Sequence, residues 1–73
     1  MIKKTTQITI TTDYITLGQF LKLADIIESG GEAKSFLAQN EVKIDSVVDN
    51  RRGRKLRGGE IVEVLGLRFE IKK

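Results

Sequence analysis

The sequence predicts an α+β domain in which two short helices pack on one face of a small, mainly antiparallel β-sheet. Three observations predict it. Apolar residues follow helical spacing over residues 17–37. From Val42 onward the spacing shifts to an alternation of two. The chain has 73 residues, which reads as a single domain over 1–73 whose helix stripes must be covered by the strands.

Each element follows from local chemistry. Residues 7–12 alternate, with Ile8 and Ile10 on one face and Thr9 and Thr11 on the other, so they predict a half-buried strand. Thr16 and Gln19 form a capping box that opens a helix over 17–24, with Leu17, Phe20, Leu21 and Ala24 as its buried stripe. Gly18 weakens this helix slightly. Ile26 and Ile27 make an apolar connector. Ser29 and Glu32 repeat the capping device and open a second helix, with Ala33, Phe36 and Leu37 inward. Asn40 is the expected stop, in the left-handed conformation. Val42 and Ile44 form a strand, Asp45-Ser46 a turn, and Val47-Val48 the returning strand. Residues 50–55 read as a polar loop or bulged strand, anchored by Leu56. Gly58-Gly59 is a further turn. Residues 61–65 form a strand that Gly66 ends, and Leu67, Phe69 and Ile71 define the last one.

Composition excludes several kinds of chemistry. There is no cysteine and no histidine, which removes disulfides, the usual metal ligands and the usual neutral-pH base. Asp45 and Asp49 are the nearest approach to paired carboxylates, and they read as turn acids beside a basic loop. No phosphate-loop or dinucleotide glycine pattern occurs. No catalytic residue, metal site or cofactor is expected, and the chain reads as a non-enzyme. No apolar run approaches the roughly 18 residues that cross a bilayer, and Met1 to Thr6 lack the apolar segment of a secretory signal. A cytoplasmic protein without a membrane partner is the expectation.

Charge is unevenly placed. The net charge is +3, yet residues 1–40 balance to zero, so the excess lies in residues 41–73. Arg51, Arg52, Arg54, Lys55 and Arg57 put five cations in seven residues with no acid between them. A guanidinium fork matches phosphate oxygens, and Gly53 lets a backbone approach closely. The competing reading is a solvated loop that keeps a small protein soluble, a task that mixed charges perform better.

At this point the residues resemble a known family. Leu17-Gly18-Gln19-Phe20-Leu21-Lys22, Ser29-Gly30-Gly31-Glu32-Ala33-Lys34, Val42-Lys43-Ile44 and Lys55-Leu56-Arg57-Gly58-Gly59-Glu60-Ile61-Val62 occur in the order and spacing of the RNA-binding domain named after ribosomal small-subunit protein S-four. The Gly-Gly opening of helix two and the run Asn50 to Lys55 resemble its YaaA-like stand-alone bacterial subfamily. The resemblance covers a core motif over 17–64 and departs at the hairpin, where Asp45-Ser46 replaces Asn-Gly and weakens the expected type I′ turn.

The resemblance implies an alpha-L motif (the helix pair) that binds structured RNA without catalysis. The expected RNA is ribosomal, with the ribosomal particle as partner in ribosome assembly or maturation. Transfer RNA or a stalled ribosome is the alternative. A protein-interaction module using an edge strand within 61–71 is the competitor from another class. Lys22, Lys34 and Lys43 join the candidate surface because helix pair and hairpin form one face in the family; each alone reads as a surface lysine. Gly31, with Ser29 and Gly30, offers N–H groups to a phosphate, although Glu32 is the wrong charge there and an ordinary cap explains these residues equally. With Phe20, Phe36 and Phe69 on core stripes and Tyr14 the one tyrosine, recognition through RNA shape is expected rather than aromatic stacking. The reading requires the cations to share one side, free of the chain's own carboxylates. On it, reversing Arg51, Arg52 and Arg54 to Glu leaves the fold intact, and truncating Phe36 or Leu37 to Ala unfolds much of the protein.

Overall fold

Thr16 sets the start of the first helix in the computed structural model, which describes residues 4–73. Its hydroxyl accepts from the Gln19 N–H at 3.2 Å, and its own N–H donates to the Gln19 side chain at 2.8 Å, so the expected box is complete. Helix α1 spans Leu17–Leu23. Asp25 ends it in a left-handed conformation, φ 62°, which a short polar side chain tolerates. The Asp25 and Ile26 N–H groups then satisfy the Lys22 and Leu21 carbonyls at 3.0 and 2.9 Å.

The second helix departs from expectation at both ends. Gly30–Glu32 forms a 3-10 turn, and only then does α2 run, over Ala33–Gln39. The expected Ser29–Glu32 box is present, with the Glu32 carboxylate accepting from the Ser29 N–H at 3.3 Å, and the Glu32 N–H also donates to the Ser29 carbonyl at 3.1 Å, which closes the 3-10 turn. Asn40 is extended, φ −131°, rather than left-handed. Its side-chain amide caps the helix by donating to the Phe36 carbonyl at 3.1 Å.

Among the described residues seven strands complete the fold: β1 Thr5–Thr9, β2 Ile15–Thr16, β3 Val42–Ile44, β4 Val47–Val48, β5 Lys55–Leu56, β6 Ile61–Val64 and β7 Leu67–Lys72. Five of them form one sheet in the order β1-β7-β6-β3-β4. β1 runs parallel to β7, and the remaining pairs of this sheet are antiparallel. The first strand thus starts before residue 7 and stops at Thr9; residues 11–13 form a bend instead of continuing it. β2 and β5 pair separately, with Ile15 opposite Leu56 and Thr16 opposite Lys55. β6 and β7 have neighbours on both sides, so the edge-strand reading of residues 61–71 does not hold; the described edges are β1 and β4.

The hairpin turn between β3 and β4 forms despite its unfavourable residues. Asp45 and Ser46 both take positive φ, 51° and 69°. Two tertiary hydrogen bonds hold Asp45 there: its N–H donates to the Ile61 carbonyl at 2.8 Å, and its carboxylate accepts from the Ile61 N–H at 3.0 Å.

The core lies between the helix pair and one sheet face. Leu17, Phe20 and Leu21 of α1 and Ala33 and Leu37 of α2 meet Val42, Ile44, Val62, Val64, Phe69 and Ile71. Phe20 and Phe69 pack edge to face, with ring centroids 5.2 Å apart. Phe36 is only half-buried at the margin, which corrects its equal weighting with Leu37. Leu56 is completely buried although its neighbours on both sides are exposed cations, so it pins the basic segment to the core. Leu56→Ala is expected to cost about 2–5 kcal/mol in a urea melt and Phe36→Ala distinctly less. Equal losses would contradict this account of the core.

Candidate functional site

The basic segment is folded onto the start of α1 by backbone hydrogen bonds. A helix leaves its first N–H groups without partners inside the helix. Here the Leu17 N–H donates to the Arg54 carbonyl at 2.8 Å and the Gly18 N–H to the Arg52 carbonyl at 2.9 Å. The Arg54 N–H turns back to the Arg51 carbonyl at 3.1 Å, which closes the loop. A Cβ at Gly18 would stand a tight 3.3 Å from that of Ala33 but an ordinary 3.5 Å from the Arg52 carbonyl, so the glycine eases the packing of α1 on Ala33. The residue that weakens α1 locally is therefore the one that lets α1 and α2 pack closely.

Asp49 organises the inner part of the loop. Its backbone N–H continues the hairpin by donating to the Val42 carbonyl at 2.9 Å. Its carboxylate, only 8% exposed, accepts from the Arg51 Nε at 3.1 Å, the Arg51 Nη2 at 2.8 Å and the Arg51 backbone N–H at 2.9 Å. The Arg54 Nη1 adds a fourth bond at 3.3 Å. The Arg51 hydrogen bond chiefly holds the Asp49 carboxyl far below the usual carboxylate range, against the opposing effect of burial. The same pairing raises the Arg51 guanidinium above its ordinary value.

The outer part of the loop uses an aromatic ring. The Lys55 Nζ lies 4.9 Å from the centroid of Tyr14, and the Arg57 Cζ lies 5.6 Å from it, both within cation–π range. The Glu60 carboxylate accepts from the Arg57 and Gly58 N–H groups at 2.8 and 2.7 Å, which fixes the end of the segment. Arg52 is exposed and lines a groove with Gly18, Gln19, Lys22 and Gly30. A second groove, along residues 9–16, shares Gln19 and Lys22 with the first and is bordered by Tyr14.

The loop backbone thus meets the start of α1, with Arg52 beside Lys22 in one groove, Arg51 and Arg54 on Asp49, and Lys55 and Arg57 at the Tyr14 ring. Arg51 and Arg54 share a single carboxylate, so the cluster is partly bound internally, contrary to the requirement that it be free of the chain's acids. Lys34 and Gly31 are exposed on α2 and the 3-10 turn, and neither lines these grooves. Lys43 lies apart. Its neighbours in β3, Val42 and Ile44, point into the core, so Lys43 occupies the opposite sheet face, 3.9 Å from Glu41 and paired in register with Glu63. Sequence reasoning missed two residues. Asp49 carries the signal of an acid whose side chain can bond the N–H two residues on, directly before an arginine run. Tyr14 carries that of a residue adjacent to buried Ile15 in an extended segment, which must face away from the core. Among the described residues no acid cluster suited to a metal ion occurs, and no helix is long and apolar enough to cross a membrane.

A family model described as the S4 domain matches residues 8–72. The chain is 61% identical over 59 residues to the "Probable ribosome maturation protein RlbA" of Bacillus subtilis (strain 168), covering 81% of this chain and 83% of that protein. It is 36% identical over 53 residues to the "Putative RNA-binding protein YbcJ" of Escherichia coli (strain K12), covering 73% of this chain and 76% of that one.

The Asp49 cluster predicts a pH dependence. Its carboxyl titrates lower in the folded than in the unfolded protein. The stabilisation is thus present above the ordinary carboxylate value, about 4, and is lost as pH falls below it, where the unfolded chain takes up the proton first. Asp49→Asn is expected to lower Tm by about 5 °C or more at pH 7, with the gap to the native protein narrowing below pH ~4. A pH-independent gap would contradict the pairing. The triple reversal of Arg51, Arg52 and Arg54 is likewise expected to destabilise the fold, since it sets new carboxylates against buried Asp49.

Proposed function

Because the chain belongs to the S4 domain family, we propose that it is a non-catalytic module that binds structured ribosomal RNA during ribosome assembly or maturation. The observation that carries this reading is the docking of a five-cation loop against α1, at the front of the helix pair. The printed names of the relatives, one a ribosome maturation protein and one an RNA-binding protein, support it. Transfer RNA offers the same phosphate chemistry, and the ribosomal reading is preferred on the relative with the greater identity.

In this proposal Arg52, Lys55, Arg57 and Lys22 meet phosphates directly. Arg51 keeps one guanidinium edge on Asp49 and presents the rest of its fork outward; its side chain is 71% exposed. Arg54, two-thirds covered, braces the loop more than it reaches out. Lys34 and Gly31 stand at the margin of the surface as secondary contacts. Lys43, on the other sheet face beside Glu41 and Glu63, is assigned at most a peripheral part.

Two measurements test the reading. For duplex-like RNA, the log–log dependence of affinity on salt is expected to have a slope near about −4, the value for about five neutralised phosphates. A flat response would overturn phosphate binding. The double variant Arg52→Gln with Arg57→Gln touches no ion pair among the described residues, adds no carboxylate beside Glu60, and is expected to keep its melting temperature while losing RNA retention. Native-level binding by that variant would show the face to be misplaced.

A further inference from the structure

Tyr14 is the one aromatic side chain that the core does not claim. Phe20 and Phe69 pack together inside, and Phe36 rests on the core margin. Tyr14 follows a bend at residues 11–13 and precedes buried Ile15, so its ring is turned outward and is 39% exposed. Its phenolic hydroxyl has no hydrogen-bond partner among the described residues. The segment is nevertheless tied down: the Thr12 hydroxyl donates to the Tyr14 carbonyl at 2.8 Å, and Lys73 lies within 3.5 Å of the Asp13 carbonyl. A large exposed ring on a fixed backbone is preorganised for stacking.

Its surroundings suit a nucleotide. Lys55 and Arg57 lie over the ring, so a base would stack on the part they leave exposed, where they supply charge for the flanking phosphates. Tyr14 also lines the groove that holds Gln19 and Lys22. Gln19 uses its side-chain oxygen in the α1 cap, which leaves its amide N–H groups to donate. Lys22 has no ion pair among the described residues. A nucleobase offers a π-face to the ring and edge acceptors to such donors, whereas a paired base inside a helix keeps its faces stacked on its neighbours.

We propose that Tyr14, with Lys55 and Arg57 at its ring and Gln19 and Lys22 across the adjoining groove, binds one unpaired nucleotide of the RNA by stacking on its base. This rests on the RNA-binding reading above and adds a single-stranded element to what would otherwise be recognition of a phosphate backbone.

The test uses the full chain and two synthetic RNAs at low salt: a blunt 20-base-pair duplex, and the same duplex with a short overhang carrying 2-aminopurine. Native protein is expected to quench the 2-aminopurine and to bind the overhang RNA about tenfold more tightly than the blunt duplex, the scale of one base–aromatic stack. Tyr14→Ala is expected to abolish the quench and to bind the two RNAs with equal affinity, and Tyr14→Phe to keep both the quench and the preference. Absence of quenching by the native protein overturns the proposal whatever the variants do. So does an equal loss on both RNAs in Tyr14→Ala, which would make the ring only a prop for Lys55 and Arg57. Native protein that binds neither RNA defeats both this proposal and the RNA reading; duplex binding without an overhang preference defeats this one alone.

Discussion

Two backbone hydrogen bonds, from the Leu17 and Gly18 N–H groups to the Arg54 and Arg52 carbonyls, tie the fold to its candidate site. They solve two problems at once. The start of α1 needs acceptors for donors that the helix cannot satisfy, and a loop crowded with like charges needs a reason to stay folded. The carbonyls of the arginines meet the first need, and the helix end meets the second. Buried Leu56 supports the geometry by anchoring the segment beneath its cations. A small domain has few contacts to spend, since it buries only about 60% of its unfolded surface. Here the contacts that complete the first helix are the same ones that present the charges.

The charges themselves divide into three arrangements. Arg51 and Arg54 are held by Asp49, Lys55 and Arg57 by Tyr14, and Arg52 stands open beside Lys22. Placing a carboxylate inside an anion-attracting face reduces its charge, and the compensation is order. A guanidinium fixed on one edge loses less freedom when its other edge meets a phosphate. The opposite sheet face has a different character, with Lys43, Glu63 and Arg68 aligned across β3, β6 and β7 as alternating charges. Such a face is self-balanced and offers little net attraction to a polyanion.

Much of this was legible in the sequence, and the failures have physical causes. Periodicity found both helices and the sheet because burial on one face imposes it, as in Leu17, Phe20 and Leu21 or Phe69 and Ile71. The Thr16 box was readable because its partners are three residues apart. What escaped depended on distant partners. The Asp45-Ser46 turn is held by Ile61, sixteen residues away from Asp45, so local turn preference misjudged it. Strand pairing escaped because β1 joins β7 in parallel across nearly the whole chain, which turns β7 from a potential edge into an interior strand. The basic cluster was visible as composition, but its division among Asp49, Tyr14 and the α1 groove was not. Lys43 was placed with the cluster by family resemblance, whereas the alternation of β3 sends it to the other face.

The central claim is that one face, built where the basic loop meets α1, receives the ligand. Backbone amide chemical shifts, followed residue by residue as structured RNA is titrated into labelled protein, test it most directly. The account predicts that perturbations gather at residues 14–22 and 51–57, with Lys43, Glu63 and Arg68 undisturbed. Perturbations centred on those three residues, with the loop silent, would contradict it.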